Sequence, residues 1–434
     1  MSATSASACL TVLEHEDVPL ARHPGPGTLG WDEAELLSEL TKSCRGLCER
    51  TFRSIRFGAY AGIITLGTRT IELLPKIDPH TTPEHCRGTL LRLLRAAPEV
   101  TGLVLPAVDQ RLVEGPLLEA FFRAFLNEVL TVMRGGLLRD YAPRADDLSF
   151  VAGTLDMGRQ ATALAGRADV IACRYDEFDI DTPWNRAVKR ALAITHRRSS
   201  HPTTQAQCCE LLGRLDGVAN VALTADDVGR LRFDRRSERY RRVIEWVRRI
   251  VAFEAPALRA GRGVAPGLLF DTAALFEAAV TQTLRRVAAR VGEVRFEAQS
   301  TGHALVAHAD APHERIIGLR PDILLRRDGR PVAILDVKWK EPQRETRTGP
   351  VPSSPDAFQM LAYSHAIGCD RVALIYPKPR HLVAHRGCFT YVGTRTPRPT
   401  LSILYADLAS DPISLVAPDG GPFDLASFLA GSSA

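Results

Sequence analysis

The sequence is short of lysine. Of its 55 basic residues only Lys42, Lys76, Lys189, Lys338, Lys340 and Lys378 are lysines, which leaves 49 arginines. A genome-wide codon bias accounts for that balance, so runs of arginine carry little weight as signs of a nucleic-acid partner. For the same reason the two lysines at 338 and 340 stand out. Aromatic residues are few as well, at 6%, beside 45% hydrophobic and 24% charged, the balance of a soluble globular protein. The formal charge of +5 is too mild to imply a polyanionic partner by itself.

Other absences narrow the class. The opening stretch, "MSATSASACLTVLEHEDVPLARHPGPG", has no basic start and no apolar core, so it does not read as a secretory signal. No run approaches the roughly 20 apolar residues of a membrane span. Nine cysteines are scattered, and the closest spacings, Cys44-x3-Cys48 and Cys208-Cys209, lack a second pair at zinc-ligand distance. Reduced, mostly buried thiols in a cytoplasmic protein are the expectation. There is no Gly-x4-Gly-Lys-[Ser/Thr] phosphate loop and no Gly-Lys dipeptide at all.

What is present suggests two or three domains in 434 residues. Residues 1–30 look like a loose leader. Short β-rich runs over 53–77 suggest a small antiparallel sheet. Apolar residues at three- and four-residue spacing then predict helices over 85–100 and 116–141, with Gly135-Gly136 as a stop. Another helix opens at 182–198, with Pro183 suited to its first turn. Residues 230–250 hold nine arginines against Asp234, Glu238 and Glu245. A solvated helix face and a DNA-facing surface both fit that stretch. Residues 253–267 read as a linker. Beyond it comes an α/β pattern: a helix near 270–290, strands near 293–299, 316–326 and 331–339, the loop "GPVPSSPD", a helix over 356–367 and a strand over 371–377. The expected class is a multi-domain α/β protein with a C-terminal mixed sheet flanked by helices.

Within that sheet, "GLRPDILLRRDGRPVAILDVKWK" (318–340) reads as a hairpin with polar residues in its apolar runs. A two-residue loop at Asp328-Gly329 would set Asp322 opposite Leu335 and turn Asp336 to the other face. A three-residue loop, Arg327-Asp328-Gly329, sets Asp322 opposite Ile334, with Asp336 diagonal on the same face at roughly 7–8 Å between Cα atoms. Lys338 then shares that face, and Ile323, Leu325, Ala333, Leu335 and Val337 make the other one apolar. The second register is preferred, with one face on the core and the other offering its charges. Asp322, Asp336 and the Val337 carbonyl could hold Mg²⁺, with Mn²⁺ as an alternative, since hard cations want a few carboxylate oxygens. Lys338 could orient a water or stabilise charge building on phosphorus. Gln359 and Tyr363 share a face of the next helix, and Glu277 on the preceding helix could supply a third carboxylate. A surface Asp/Lys set on a half-exposed hairpin is the plainer alternative.

The pattern resembles the PD-(D/E)xK nuclease superfamily, here as "RPD" with "DVK", and Gln359-x3-Tyr363 resembles an element of its RecB-type members. More specifically it resembles the McrC family, the nuclease subunits of McrBC modification-dependent restriction systems. "IELLPKI" (71–77), "RGGLLRDY" (134–141), "GTLDMGR" (153–159), "YDEFDIDTPWNRAVKRAL" (175–192), "LFEAAV" (275–280), "GLRPDILL" (318–325), "ILDVKWK" (334–340), "QMLAY" (359–363) and "LIYP" (374–377) carry the resemblance in family order. It implies DNA cutting with Mg²⁺, no nucleotide on this chain, and dependence on McrB, a hexameric AAA+ GTPase that reads methylated cytosine. The N-terminal part would dock in the ring and stimulate GTP hydrolysis. The domains would be the leader, a docking domain (31–145), a mainly helical middle (146–262) and a PD-(D/E)xK nuclease domain (263–434). Two other readings stay open. One is a non-catalytic adaptor of a AAA+ motor, and the other a stand-alone RecB-like nuclease, which leaves "IELLPKI" and "RGGLLRDY" unexplained. Glu72, Lys76 and Arg139 are read as ordinary surface charges.

Overall fold

A computed structural model of the chain describes residues 9–66, 69–77, 81–105, 115–254, 268–310, 313–342, 344–346, 349–393 and 397–430. These fall into two compact units, one made of the described residues up to Leu117 and from Leu269 onward, the other of those from Leu118 to Glu254. The linker expected over 253–267 lies outside the described residues, apart from Phe253 and Glu254, which end a helix.

In the first unit, the chain lays down β1 (Cys9–Leu13), α1 (Trp31–Ser43), β2 (Tyr60–Leu66), β3 (Arg69–Leu74) and α2 (Pro83–Ala96). β1 runs parallel to β3, which pairs antiparallel with β2. The expectation of a loose leader is therefore wrong for residues 9–30. Val12 and Glu14 are buried, because "CLTVL" alternates apolar and polar residues and inserts Leu10 and Val12 into the core. Glu72 is corrected too. It is no surface charge, since Arg87 grips its carboxylate with two bonds of 2.8 Å, and Thr11 Oγ1 and the Leu117 amide donate to it at 2.9 and 3.0 Å. Such an ion pair with every oxygen served is the form in which a buried carboxylate is tolerated.

The second unit opens with α3 (Leu117–Arg134), then two long strands, β4 (Asp140–Leu148) and β5 (Ile171–Asp179), followed by α4 (Pro183–Arg198) and α5 (Arg241–Glu254). β4 and β5 pair antiparallel from Asp140↔Asp179 to Leu148↔Ile171 as an exposed ribbon. Its two feet are tied by one network: Asn185 Nδ2 donates to the Leu138 and Ile180 carbonyls, and Tyr240 Oη donates to Asn185 Oδ1 while accepting from the Leu138 amide. The arginines over 230–250 are largely engaged within this unit. Arg236 pairs with Asp140, Arg241 with Glu238, and Arg248 and Arg249 with Glu245.

Returning to the first unit, β6 (Leu268–Asp271) completes the N-terminal sheet in the order β1-β3-β2-β6 and runs directly into α6 (Thr272–Val291). Then come β7 (Arg295–Ala298), β8 (His303–Ala307), β9 (Arg315–Leu319), β10 (Ile323–Arg327), β11 (Arg330–Val337), α7 (Ser354–Ile367), β12 (Arg371–Pro377), β13 (Cys388–Thr390), β14 (Thr400–Asp407) and β15 (Ser414–Val416). The central seven-stranded sheet has the order β7-β10-β11-β12-β14-β13, with β15 on β14. The strand expected over 316–326 is broken at Arg320–Asp322. β9 pairs only with β8, and β10 enters the central sheet, because Pro321 has no amide to give a ladder.

The hairpin differs from the expected register. Its loop is the two-residue Asp328-Gly329 turn, with φ of 49° and 77°, the left-handed pair of a type I′ turn. Pairing starts at Arg327↔Arg330 and Arg326↔Pro331, then jumps to Leu325↔Ala333, so Val332 is an extra, bulged residue. Beyond the bulge Leu324 meets Ile334 and Ile323 meets Leu335, and the same register sets Asp322 directly opposite Asp336. The two carboxylates thus share a face as expected, by a different route. That face is also not open: Leu324 and Ile334 pack with Met360 and Tyr363 of α7.

The turn yields a test. Gly329→Ala places a Cβ at φ 77° and should cost about 1 kcal/mol in denaturant unfolding. A neutral substitution would contradict the type I′ assignment.

Candidate active site

The end of the hairpin gathers five of the expected side chains and one that was not foreseen. Asp336 is the penultimate residue of β11, 2% exposed, and pairs with Leu374 of β12 in a parallel ladder. Asp322 sits at the foot of β10 and accepts the Val337 backbone amide on Oδ2 at 2.8 Å, which locks the two strand ends together. Lys338 follows Val337, its amide bound to the Ile375 carbonyl at 2.9 Å. Its ammonium lies 2.6 Å from Asp336 Oδ2 and donates to Gln359 Oε1 at 2.9 Å. The Lys338 ammonium is thus the polar partner of the buried Asp336 Oδ2.

α7 supplies the second wall. Ser353 caps its N-terminus, and the helical spacing of Gln359 and Tyr363 puts both on the site's face. Gln359 Nε2 donates to Tyr363 Oη at 2.9 Å, and Tyr363 Oη donates to the Arg320 carbonyl at 3.2 Å. This chain runs from the Lys338 ammonium to the backbone that leads into Asp322. It fixes the amide orientation of Gln359 so that its oxygen faces the lysine.

Glu277, on α6, does not converge directly with the two aspartates. Gln299 bridges them: its side-chain amide donates to Glu277 Oε1 and, at 3.1 Å, to Asp322 Oδ1. Gln299 was missed from the sequence because a lone amide at a strand end has no motif. Its backbone stands at φ 49° and its amide binds the Asp322 carbonyl at 2.8 Å, so the residue is held there from both ends. Among the described residues no group of three or more His, Cys, Asp or Glu side chains forms a ready-made metal cage.

Electrostatics follow from burial. Burial, then the adjacent Asp322 charge, pushes Asp336 up to about 6. Burial also raises Asp322, and burial followed by Asp322 raises Glu277. Tyr363 is pushed up to about 12, so its hydroxyl stays protonated as a donor. Two buried like charges beside one ammonium leave an excess of negative charge. Two neighbouring carboxylates with one ammonium between them fit a hard divalent cation such as Mg²⁺.

Over residues 55–377 the chain matches the family described as McrBC 5-methylcytosine restriction system component. The chain belongs to that family. The match covers most of this McrBC-family chain, including the whole hairpin site and the exposed β4–β5 ribbon. Among solved structures it is similar to a chain of a refined half-complex from a tetradecameric assembly of Thermococcus gammatolerans McrB AAA+ hexamers with bound McrC. That likeness has 18% identity and a TM-score of 0.70, and covers 98% of this chain and 99% of that one. It is also similar to part of the cryo-EM structure of the Thermococcus gammatolerans McrBC complex, at 21% identity and a TM-score of 0.49, over 65% of this chain and 88% of that one. The first likeness shows a shared mixed α/β fold. No curated protein matches. No helix among the described residues is long and apolar enough to cross a membrane.

The raised carboxyl of Asp336 has a measurable consequence. Its folded value lies above its ordinary 3.8, so the charged form opposes folding, beginning above about pH 4 and fully above about pH 6. Asp336→Asn should therefore stabilise the metal-free protein by about 1–3 kcal/mol at pH 8 and by almost nothing at pH 4. Denaturant unfolding in a chelator at both pH values checks this. An equal effect at the two would show that Asp336 carries no burial strain.

Proposed function

We propose that this chain is the DNA-cutting subunit of an McrBC-type restriction complex. In this reading it is a Mg²⁺-dependent endonuclease that cuts DNA carrying modified cytosine and stimulates the GTP hydrolysis of an McrB-type AAA+ hexamer. The observation that carries the reading is the juxtaposition of Asp322, Asp336, Lys338 and Gln359 at the end of the hairpin away from its turn. Family membership and the fold shared with a chain of McrB hexamers with bound McrC support the choice of partner. DNA as the substrate follows from the restriction role of that family.

Asp322, Asp336 and the carbonyl of Val337, the residue after Asp336, would hold the cation. Bound there, Mg²⁺ would polarise the phosphodiester and acidify a water. The protein's own groups do the rest. The Val337 amide favours the ionised form of Asp322 against the effect of its burial and orients it towards β11. Gln359, itself fixed by Tyr363, aims the Lys338 ammonium towards the place where negative charge would build on the phosphate oxygens. Gln299 holds Glu277 and Asp322 in one arrangement, so the half-buried Glu277 acts as a supporting carboxylate. In this reading the recognition of modified cytosine belongs to the partner.

The test is plasmid cleavage with Mg²⁺, with and without the AAA+ partner, GTP and cytosine methylation. Asp336→Ala and Lys338→Ala should each lower the cutting rate by about 10²–10³-fold or more while the partner's stimulated GTP hydrolysis persists. Cutting by the isolated wild type would favour a stand-alone nuclease. Stimulated GTP hydrolysis with no cutting under any condition would favour an adaptor.

A further inference from the structure

The N-terminal sheet reaches the hairpin site through one buried carboxylate. Glu14 follows β1 and is 0% exposed. Its backbone amide extends the ladder to the Leu74 carbonyl at 2.9 Å. Its Oε2 accepts two bonds, from Trp339 Nε1 at 3.0 Å and from the Lys76 amide at 3.1 Å. The Thr272 hydroxyl at the start of α6 faces the same carboxyl, yet Oε1 has no donor in hydrogen-bond geometry. Burial pushes this group up to about 7. The same sheet shows what a carboxylate kept for stability looks like, in Glu72 with Arg87, Thr11 and the Leu117 amide. Glu14 has no such set of partners.

The place Glu14 holds is informative. Trp339 immediately follows Lys338, at the point where β11 has ended and the backbone turns away from the sheet. Its indole packs on Phe276, with ring centroids 5.2 Å apart and planes at 57°, and Phe276 immediately precedes Glu277. The Glu14–Trp339–Phe276 contact therefore sits one residue from both Lys338 and Glu277. Downstream, the next fixed point is Lys340, whose ammonium lies 2.7 Å from Asp356 Oδ2. Between the Lys338 amide, bound to the Ile375 carbonyl, and that ion pair, the Glu14 bond fixes the intervening Trp339.

Resting on the cutting role proposed above, we propose that Glu14 is a positioning residue for the hairpin site. It holds the Trp339 indole against Phe276 and so sets the directions of Lys338 and Glu277 from the N-terminal sheet. An aromatic anchor alone would slide on Phe276, since an apolar contact is non-directional. The N–H···O bond gives it one orientation.

The experiment uses the full chain with its AAA+ partner, GTP, Mg²⁺ and plasmid methylated at cytosine. Four variants are compared: Glu14→Ala, Glu14→Gln, Trp339→Phe and the Glu14→Ala/Trp339→Phe double variant. Misplacing a reacting group by a fraction of an ångström costs rate, so Glu14→Ala and Trp339→Phe should each lower kcat for cutting by about 10-fold or more. KM for DNA and the partner's stimulated GTP hydrolysis should stay unchanged. Glu14→Gln keeps an acceptor oxygen for the indole and should recover kcat to within about threefold, and the double variant should be no worse than about the poorer single one, as for two residues in one interaction. A wild-type kcat in Glu14→Ala, additive losses in the double variant, or a Gln variant as slow as the Ala variant would each overturn the positioning role. So would joint loss of cutting and GTPase stimulation, which would mark a purely structural residue. If the wild-type complex cuts and Asp336→Ala does not, a failure of Glu14→Ala to matter sinks only this inference. If the wild type does not cut, both fall.

Discussion

Two carboxylates held opposite each other at the end of a buried hairpin repel, and each loses hydration energy by being there. Asp322 and Asp336 accept that cost with only one ammonium nearby. Everything close to them limits it without cancelling it. The Val337 amide and Gln299 serve Asp322, and the Lys338 ammonium faces Asp336 Oδ2. A fold selected for stability alone would place apolar residues here, as it does at the adjoining Ile323, Leu324, Ile334 and Leu335. The residual negative charge is what the proposed divalent cation would offset.

The bulge at Val332 makes that opposition possible. A type I′ turn suits the twist of a two-stranded ribbon and fixes an even register from Arg327↔Arg330 outward. Continued unbroken, it would send Asp336 to the face opposite Asp322. One extra residue restores the parity, and it does so close to the turn, where a bulge disturbs the least buried pairs. Asp336 then lies next to Leu374 in a parallel ladder, deep enough for its carboxyl to be raised by burial.

Alternation of apolar and polar residues makes the shared face legible from the sequence, because parity is all it encodes. It does not reveal the bulge, since a β-branched residue such as Val332 looks the same in or out of register. The helices that bury one stripe, α3, α4, α6 and α7, fall close to their expected positions for the same reason. The ribbon of β4 and β5 goes unseen because neither of its faces is consistently buried, so no period of two appears. β1 goes unseen because five residues inside a polar leader are too few to weigh, and β14 because it lies beyond the hairpin pattern that directed attention to the site. Gln299 shows a different limit. A bridging amide matters through what it touches, and nothing in its local sequence says which carboxylates those are.

The N-terminal sheet is not a separate body from the central sheet. β6 closes its edge and continues into α6, so the strand that completes one sheet starts the helix that carries Phe276 and Glu277 to the other. Glu14 adds a second bridge through Trp339. With two independent connections between the same pair of elements, a displacement of β1 or β6 cannot be absorbed by one of them alone, because packed interiors transmit strain instead of flowing around it. Lys338 depends on this more than the aspartates do. Asp322 and Asp336 are held by the ladder and by the Val337 amide, whereas the lysine lies just past the end of β11 and takes its direction from what anchors the turn. The charge balance of the site is thus set by the hairpin, and the ammonium, held at its tip by Gln359, would take the direction of its backbone in part from a sheet built from the opposite end of the chain.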